Sequence, residues 1–331
     1  MRSENQENLS LDYQSMMYEG VVYPPFIKAE ALNELREKHT LRSSDIVIAT
    51  FPKCGTTWMQ QIVLTLLADG DGSKVRQPMG MSPWLEAWVS NQGLAAFEAW
   101  HPEQTGWNGL ENSCDLAPGW CPSRRVLKTH APAQLAPWVG GTERDGMNGA
   151  RVIVVTRNPK DAAVSHYHHT IDLPHIFKYN GCWDYFLRKI WIPGKVESGS
   201  FWEWHQSWWQ VCQGGSVDLL WISYEELLSE PEKSISRVAK FIGLEPTTEL
   251  TKGVLTASNF QAMKQTAAEE DDKLVAIGKA DQVKRNHIRE GKSGNWTETF
   301  TAPQNELMDR YHMGECSRLS LPPKLFPHMR L

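Results

Sequence analysis

The sequence predicts one α/β domain over residues 1–331, in which helices cover both faces of a central parallel β-sheet. Short apolar runs alternate with helical patterns from about residue 45 to residue 245. No Pro-, Gly- or Ser-rich linker and no internal repeat divides the chain. A glycine turn joins the first apolar run to the first helical pattern. Because parallel strands need crossover helices, ligands are expected at the carboxyl ends of the strands.

The predicted elements follow one another as strand then helix. Strands are predicted at residues 45–50, 125–130, 151–156 and 219–223, and helices at about 56–68, 159–169, 201–212 and 232–242. Asn158 suits a helix N-cap, and Pro159 suits the first helical position. Residues 76–122 are predicted to form an irregular, Trp-rich loop, and a loop this long is usually functional. Residues 1–19 are predicted to be a flexible N-terminal extension.

Composition excludes several classes of protein. The net charge of −5 argues against a general binder of nucleic acid or of anionic membranes. Residues 1–18 lack the basic and apolar regions of a signal peptide, and no apolar run approaches 18 residues. The six cysteines lack paired C-x-x-C spacing, so free thiols are expected and a zinc site is not. We therefore expect a cytoplasmic protein with no nucleic-acid partner and no membrane partner.

The strongest local signal is the segment T-F-P-K-C-G-T-T-W at residues 50–58. It places a glycine turn, Lys53 and two hydroxyl side chains between a strand and a helix, where backbone N–H groups and the positive helix end hold an anion. It is not a Walker A loop, because Lys53 precedes Gly55 instead of following a second glycine. The segment predicts a phosphate-binding-loop architecture of the nucleotide-kinase type and disfavours nucleoside-triphosphate hydrolysis.

Four segments resemble motifs of the cytosolic sulfotransferase family, whose donor is 3'-phosphoadenosine 5'-phosphosulfate. Residues 50–58 resemble its phosphosulfate loop, Y-P-K-S-G-T-T-W, with Phe51 and Cys54 as departures. K-T-H-A-P at residues 128–132 matches K-T-H-x-P, and R-N-P-K-D-A-A-V-S at residues 157–165 matches R-N-x-K-D-x-x-x-S. I-R-E-G-K-S-G-N-W at residues 288–296 resembles R-K-G-x-x-G-D-W, with Glu290 in place of lysine. A carboxylate repels a phosphate, so weaker donor binding is expected than with lysine there.

The resemblance implies a role for each matching residue. It makes His130 the general base, has Lys53 and Lys128 stabilise developing charge, and lets Ser165 hold Lys53 away from the donor until an acceptor arrives. The implied donor-binding residues are Lys53, Cys54, Gly55, Thr56, Thr57, Trp58, Arg157, Ser165, Tyr224, Ser258, Phe260, Met263, Ile288, Arg289, Glu290 and Gly291. The implied acceptor-binding residues are Phe51, Trp84, Glu86, Lys128, His130 and His169. The expected reaction is a metal-independent, in-line transfer of a sulfonyl group to a hydroxyl or amine, releasing adenosine 3',5'-bisphosphate.

The acceptor is expected to be an aromatic or alicyclic alcohol, because the Trp-rich stretch suits a flat apolar molecule. Glu86, Glu98 and Glu111 raise the alternative of a cationic acceptor, although solvated loop charges are the commoner explanation. The three histidines at residues 166, 168 and 169 have no carboxylate or cysteine at ligand spacing, so they do not predict a metal. The family's dimer segment is matched only at Thr301 and Glu306, which leaves a monomer and a homodimer open.

Two functions of other classes compete with this prediction. A phosphotransferase that used the loop for a triphosphate would need magnesium, and the sequence offers neither a Walker lysine nor an evident metal carboxylate. A non-catalytic nucleotide-binding protein would keep the fold while Glu290 weakens the phosphate site. The presence of both Lys53 and His130 argues against that second alternative.

Overall fold

The computed structural model describes residues 13–75, 78–98, 124–143, 147–276 and 288–327. Its strands are β1 Met16–Tyr18, β2 Val21–Tyr23, β3 Ile46–Thr50, β4 Val126–Thr129, β5 Arg151–Thr156 and β6 Leu219–Ser223. The strands β3 to β6 form a parallel sheet in the order β4-β3-β5-β6, while β1 and β2 form a separate antiparallel hairpin. The predicted strands and the parallel sheet are confirmed.

The parallel strands end together at one edge of the sheet. Ala49 pairs with Thr129, Thr50 pairs with Val155, and Thr156 pairs with Ser223. The chain segments that leave this edge carry the predicted site residues, because Lys53, His130, Arg157 and Tyr224 each lie within three positions of a strand end.

Alternate residues of the central strands point to opposite faces of the sheet, as the strand geometry requires. Buried residues of β3 and β5 are divided between two core clusters: Val47, Ala49, Val152 and Val154 in one, and Ile46, Ile48, Ile153 and Val155 in the other. Both faces are therefore apolar, which explains why these strands are nearly continuous hydrophobic runs.

Helices cover both faces. They are α1 Ala29–Lys38, α2 Thr56–Leu67, α3 Pro78–Met81, α4 Leu85–Gln92, α5 Leu94–Glu98, α6 Pro159–Asp172, α7 Pro174–Phe177, α8 Trp183–Tyr185, α9 Phe201–Gly214, α10 Tyr224–Ser229, α11 Pro231–Phe241, α12 Thr248–Ser258, α13 Phe260–Ala276 and α14 Ala302–Arg318. A π-helical segment covers Phe186–Trp191, and 3₁₀ turns cover Gly72–Lys74, Ala133–Leu135, Asn295–Glu298 and Pro323–Leu325. Side chains of α6 and α9 join the first core cluster, and those of α2, α11 and α12 join the second. Among the residues described, no helix has the length and apolar character needed to cross a membrane.

The start of α6 has the predicted cap. The Asn158 side chain accepts a hydrogen bond of 2.8 Å from the backbone N–H of Lys160, and Pro159 occupies the first helical position. This cap stops β5 sharply and fixes the direction in which Arg157 leaves the sheet. The helix is three residues longer than predicted and ends at Asp172.

Two predictions about irregular regions need correction where the structure describes these regions. The extension predicted to be flexible includes β1, which pairs with β2, and Tyr13, whose ring stacks on Phe177 at 5.1 Å. The stretch predicted to be an irregular loop contains α3, α4 and α5, while residues 99–123 lie outside the described residues. Both segments bury apolar side chains, Tyr18 in β1 and Leu85 and Val89 in α4, and this burial stabilises the regular structure.

Candidate active site

The loop between β3 and α2 is shaped by two residues with positive φ, Lys53 at 71° and Gly55 at 102°. A side chain is not accommodated at Gly55, since its Cβ would lie 2.8 Å from Cδ2 of Tyr224. Gly55 is the N-cap of α2, and no side chain caps the helix there. The first N–H groups of α2 and the positive helix end therefore favour an anion at this loop.

His130 follows β4 directly and is only 6% exposed. Its Nδ1 atom lies 2.6 Å from the carbonyl oxygen of Thr50. A carbonyl only accepts, so Nδ1–H donates and the free lone pair is on Nε2. Burial, helped by the positive charges of Lys128 and Lys53, holds the pKa of His130 well below its ordinary value of 6.5. The imidazole is therefore a neutral base near pH 7.

Neighbouring side chains fix the position of His130. The indole of Trp204 donates a hydrogen bond of 2.9 Å to its carbonyl oxygen. The Trp84 ring stands at 72° to the imidazole with the centroids 5.0 Å apart, and the Lys128 ammonium lies 4.6 Å from the Trp84 ring. Lys128 and His130 thus share one aromatic neighbour. Phe26 packs edge-on against that same indole at 5.8 Å.

Arg157 connects the loop with the C-terminal part of the chain. Its Nη1 donates to the carbonyl oxygen of Lys53 and its Nη2 to that of Lys292, each at 3.0 Å. The guanidinium lies 4.4 Å from the centroid of Tyr224, and Tyr224 packs against Trp58 at 5.1 Å. A cation and two aromatic rings are therefore fixed beside the anion-binding turn.

The segment at residues 293–296 is held against α6 by one carboxylate. Asp161 accepts hydrogen bonds from the backbone N–H of Gly294 at 2.7 Å, from that of Trp296 at 3.0 Å, and from the Ser293 hydroxyl at 3.2 Å. This carboxylate anchors the sequence that precedes α14 to the start of α6. The preceding residues 288–292 are thereby brought to the phosphate loop.

Glu290 is paired within this segment. Its carboxylate forms an ion pair with the Arg289 guanidinium at 2.7 Å. It also accepts a hydrogen bond from the Asn295 side chain. Gly291 lies under Phe260, where a Cβ would approach Cδ2 of the ring to 2.2 Å. The Arg289 charge is therefore partly neutralised by Glu290 before any ligand binds.

These groups line one cavity of about 750 Å³. We call the wall made by Lys53, residues 55–58, Arg157, Tyr224, Phe260 and residues 288–292 the loop side. We call the second group of lining residues the aromatic side: Phe26, Trp84, Lys128, His130, His169, Phe177 and Glu197. The cavity thus joins an anion-binding turn to a neutral base and a set of aromatic rings.

A family model described as Sulfotransferase domain matches residues 43–319, which include every element of the parallel sheet. The chain belongs to the sulfotransferase family. It is therefore a transferase enzyme, and the family predicted from the four motifs is confirmed.

Curated relatives match over nearly the full chain. Sulfotransferase 1B1 of Mus musculus is 31% identical over 300 residues, with 90% of this chain and 91% of that protein covered. Sulfotransferase 1A1 of Bos taurus is 31% identical, with 87% and 89% covered. Sulfotransferase 2B1 of Homo sapiens is 30% identical, with 93% and 75% covered.

Solved structures share the fold at lower identity. Mouse sulfotransferase SULT7A1, complexed with PAP, superposes with a TM-score of 0.67 at 22% identity, covering 92% of this chain and 95% of that one. Retinol dehydratase, in complex with androsterone and the inactive cofactor PAP, gives a TM-score of 0.68 at 21% identity, covering 92% and 89%. The sulfotransferase fold thus extends over nearly all of the chain.

The structure brings most of the predicted site residues of this sulfotransferase to the one cavity. Those that line it are Lys53, Gly55, Thr56, Thr57, Trp58, Trp84, Lys128, His130, Arg157, Ser165, His169, Tyr224, Ser258, Phe260, Met263, Ile288, Arg289, Glu290 and Gly291. Lys53 and His130, which the mechanism requires at one place, are linked through Thr50, the last residue of β3.

Three predicted contact residues do not line the cavity of this sulfotransferase. Phe51 is fully buried and packs edge-on against Phe201, with ring centroids 5.1 Å apart. Cys54 is fully buried too, and burial raises the pKa of its thiol. Phe51 continues the alternation of Val47 and Ala49 into the first core cluster, and Cys54 lies in the same cluster, so both side chains point away from the cavity.

Glu86, predicted to bind the acceptor, has a structural role. Its Oε1 accepts hydrogen bonds from the Thr129 hydroxyl at 2.6 Å, the His130 N–H at 3.2 Å and the Ala131 N–H at 3.1 Å. The side chain is fully buried, and burial raises the pKa of its carboxyl. Glu86 therefore supports the backbone that carries His130. The side chain of Glu98 and all of Glu111 lie outside the described residues.

Several cavity residues were missed from the sequence. Phe26 follows the N-terminal hairpin, Phe177 ends α7, and Glu197 lies in the turn before α9. None of them belongs to a motif or to a periodic pattern. Glu197 lies in the sequence G-K-V-E-S-G-S, which is typical of an irregular connection. That sequence does not indicate which residues surround the Glu197 side chain in the fold.

The histidine cluster forms no metal site among the residues described, where no group of three or more potential metal ligands occurs. His166 is fully buried, and burial lowers its pKa to about 3.

Cys54, Cys182, Cys212 and Cys316 are free thiols. Thr301, one of the two matches to the dimer segment, is the N-cap of α14, where its side chain accepts a bond from the Gln304 N–H.

Proposed function

We propose that this sulfotransferase moves the sulfonyl group of 3'-phosphoadenosine 5'-phosphosulfate onto a hydroxyl or amine of a small-molecule acceptor. The observation that carries the proposal is the lining of one cavity by an anion-binding turn with Lys53 and by His130, whose free lone pair is on Nε2. PAP, named as bound in two of the structural neighbours, is the product that this donor would leave.

The proposed reaction is an in-line displacement at sulfur. His130 Nε2 takes the proton of the acceptor hydroxyl while the acceptor oxygen forms a bond to sulfur. The bond between sulfur and the bridging phosphate oxygen breaks, and its electron pair stays on that oxygen. Lys53 and Lys128 stabilise the negative charge on the bridging and sulfonyl oxygens. Ser165, which also lines the cavity, is proposed to hold Lys53 aside until an acceptor arrives.

The loop side is proposed to bind the donor. The turn at residues 53–57 would hold the 5'-phosphosulfate, and Arg157 with Arg289 would hold the 3'-phosphate. Trp58, Tyr224 and Phe260 offer flat faces for the adenine, with Ser258, Met263 and Ile288 around it. The aromatic side is then left for the acceptor.

The reaction is proposed to need no metal ion. Two ammonium groups and a turn rich in backbone N–H groups supply the positive charge that a divalent cation would otherwise bring to the transition state. The alternative, a phosphotransferase acting on a triphosphate, requires magnesium. Its activity would therefore be lost when EDTA removes the metal. A cytoplasmic location and the choice between a monomer and a homodimer stay predictions.

The experiment is to incubate the protein with radiolabelled phosphosulfate donor and a panel of phenols, steroids and amines, with and without EDTA. We expect labelled product that resists EDTA, and we expect it to disappear in the His130→Ala variant. His175→Ala is the matched control, because His175 is exposed and lies outside the cavity. Label transfer that EDTA abolishes would refute the metal-independent mechanism, and donor binding without any transfer would favour a non-catalytic nucleotide-binding protein.

A further inference from the structure

Glu197 is a carboxylate in the cavity wall whose side chain has no hydrogen-bond donor among the described residues. It is 4% exposed and lines the cavity on the aromatic side. Across the described residues its side chain accepts no hydrogen bond, and the positive charges that act on it are those of Lys128 and Lys53. An unpaired buried carboxylate is costly, so its place in a cavity wall points to a ligand that compensates the charge.

Glu86 is buried too, but only its Oε2 atom lacks a hydrogen-bond partner. Glu86 accepts three hydrogen bonds on one oxygen and has no place in the cavity wall. Glu197 has an ordered backbone instead. Its N–H donates to the Tyr13 hydroxyl at 3.2 Å, and the N–H of Ser198 donates to the carbonyl oxygen of Val22 at 2.7 Å. The N-terminal hairpin therefore holds this carboxylate at the cavity.

The charges around Glu197 determine what it can bind. Burial raises its pKa to about 7, Lys128 and Lys53 act in the opposite direction, and Glu86 adds to the rise. His130 is neutral, and burial raises the pKa of Tyr13, which keeps that phenol neutral as well. An anionic donor on the loop side would take up the charges of Lys53 and Lys128. The carboxylate would then be the uncompensated charge facing the acceptor.

We propose that Glu197 selects acceptors that carry an ammonium group, so that the aromatic side binds a cationic aromatic alcohol or amine. This inference rests on the proposed function, because it names the acceptor class of the same site. The carboxylate would pair with the cation, and Phe26 and Phe177 would offer it aromatic faces. Asp172, which also lines the cavity, adds a second negative charge to the wall.

The test compares two acceptors of the same shape, (3-hydroxymethylphenyl)trimethylammonium and 3-tert-butylbenzyl alcohol. They differ in one fixed positive charge, and neither titrates near pH 7. Their dissociation constants are measured by calorimetry at pH 8 with adenosine 3',5'-bisphosphate at saturation. We expect wild type to bind the cation about tenfold more tightly than its neutral isostere, which corresponds to about 1.4 kcal/mol. Glu197→Gln should bring the ratio of the two constants close to one.

Two further variants separate charge from shape. Glu197→Asp keeps the charge and should keep a preference for the cation, while Glu245→Gln removes an exposed carboxylate outside the cavity and should leave the ratio unchanged. Lowering the pH from 8 to 6 protonates Glu197, so the cation should bind more weakly at pH 6 in wild type and equally at both pH values in Glu197→Gln.

An unchanged ratio in Glu197→Gln overturns the inference, as does a wild type that binds both molecules equally or binds neither. Failure of the proposed function would appear separately. It would show as no binding of the bisphosphate and no label transfer to any acceptor in the panel.

Discussion

The loop side and the aromatic side of the cavity are built in different ways. Most residues of the loop side come from short contiguous segments, at the ends of β3, β5 and β6 and at residues 288–292, and their geometry depends on backbone turns at Lys53, Gly55 and Gly291. Residues of the aromatic side are scattered: they come from β4 and its end, from α6 and α7, and from the connections before α1, α4 and α9. The difference teaches that an anion-binding turn depends on local backbone geometry. The proposed acceptor pocket depends instead on packing between residues that are far apart in the sequence.

The largest expected effect is at His130, where the two sides meet. His130→Ala removes the base while the loop side stays intact, so kcat should fall by roughly 100- to 10,000-fold with little change in the affinity for the donor. Steady-state kinetics and titration with adenosine 3',5'-bisphosphate check the two parts. A fall in donor affinity as large as the fall in kcat would show that His130 also contributes to donor binding. It would contradict the assignment of donor and acceptor to different sides of the cavity.

The second prediction concerns the support of the aromatic side at Glu86. Glu86→Ala leaves the buried His130 N–H and the Thr129 hydroxyl without the acceptor they share, so the free energy of unfolding should fall by about 2–4 kcal/mol. Glu86→Gln keeps an acceptor oxygen in the same place and should cost clearly less. Urea unfolding of both variants measures the difference, and equal losses would show that the three hydrogen bonds on Oε1 are not what stabilises this turn.

A third prediction tests the loop side through its backbone. Gly291→Ala places a Cβ within 2.2 Å of Phe260 and at a φ of 65°, so donor affinity should weaken by about tenfold or more. Gly314→Ala is the matched control, because a Cβ there meets nothing within 4 Å and Gly314 lies in α14. Calorimetry with adenosine 3',5'-bisphosphate compares them. Equal affinity in the two variants would contradict the close approach of Phe260 to the phosphate segment.

The smallest expected effect is at Glu290. Glu290→Lys removes the partner of Arg289 and adds a positive charge, so donor affinity should tighten by about two- to fivefold, an effect that salt reduces. Glu298→Lys changes an exposed charge of the same segment outside the cavity and should have less effect. A Glu290→Lys variant that binds the donor no more tightly than wild type would mean that this carboxylate does not oppose the 3'-phosphate.

The fold was predictable to a large extent because its signals are local. The β-branched run at residues 151–156 predicts a strand, Asn158 predicts the start of a helix, and Gly55 predicts the turn before another helix. The structure has all three features. The prediction failed for the N-terminal hairpin and for α3 to α5. These segments are short, so the periodicity is weak, and contacts with distant residues stabilise them.

For the candidate site, the sequence by itself determined the parts that lie within a few residues of one another, since a strand end, a turn and a helix start produce an anion-binding geometry without outside help. Only the tertiary structure decided which carboxylate faces the ligand. The sequence favoured Glu86 as the acceptor-binding carboxylate and did not single out Glu197, but Glu86 is enclosed by backbone N–H groups and Glu197 lies in the cavity wall. The physical reason is that the environment of a side chain depends on neighbours that are remote in the chain.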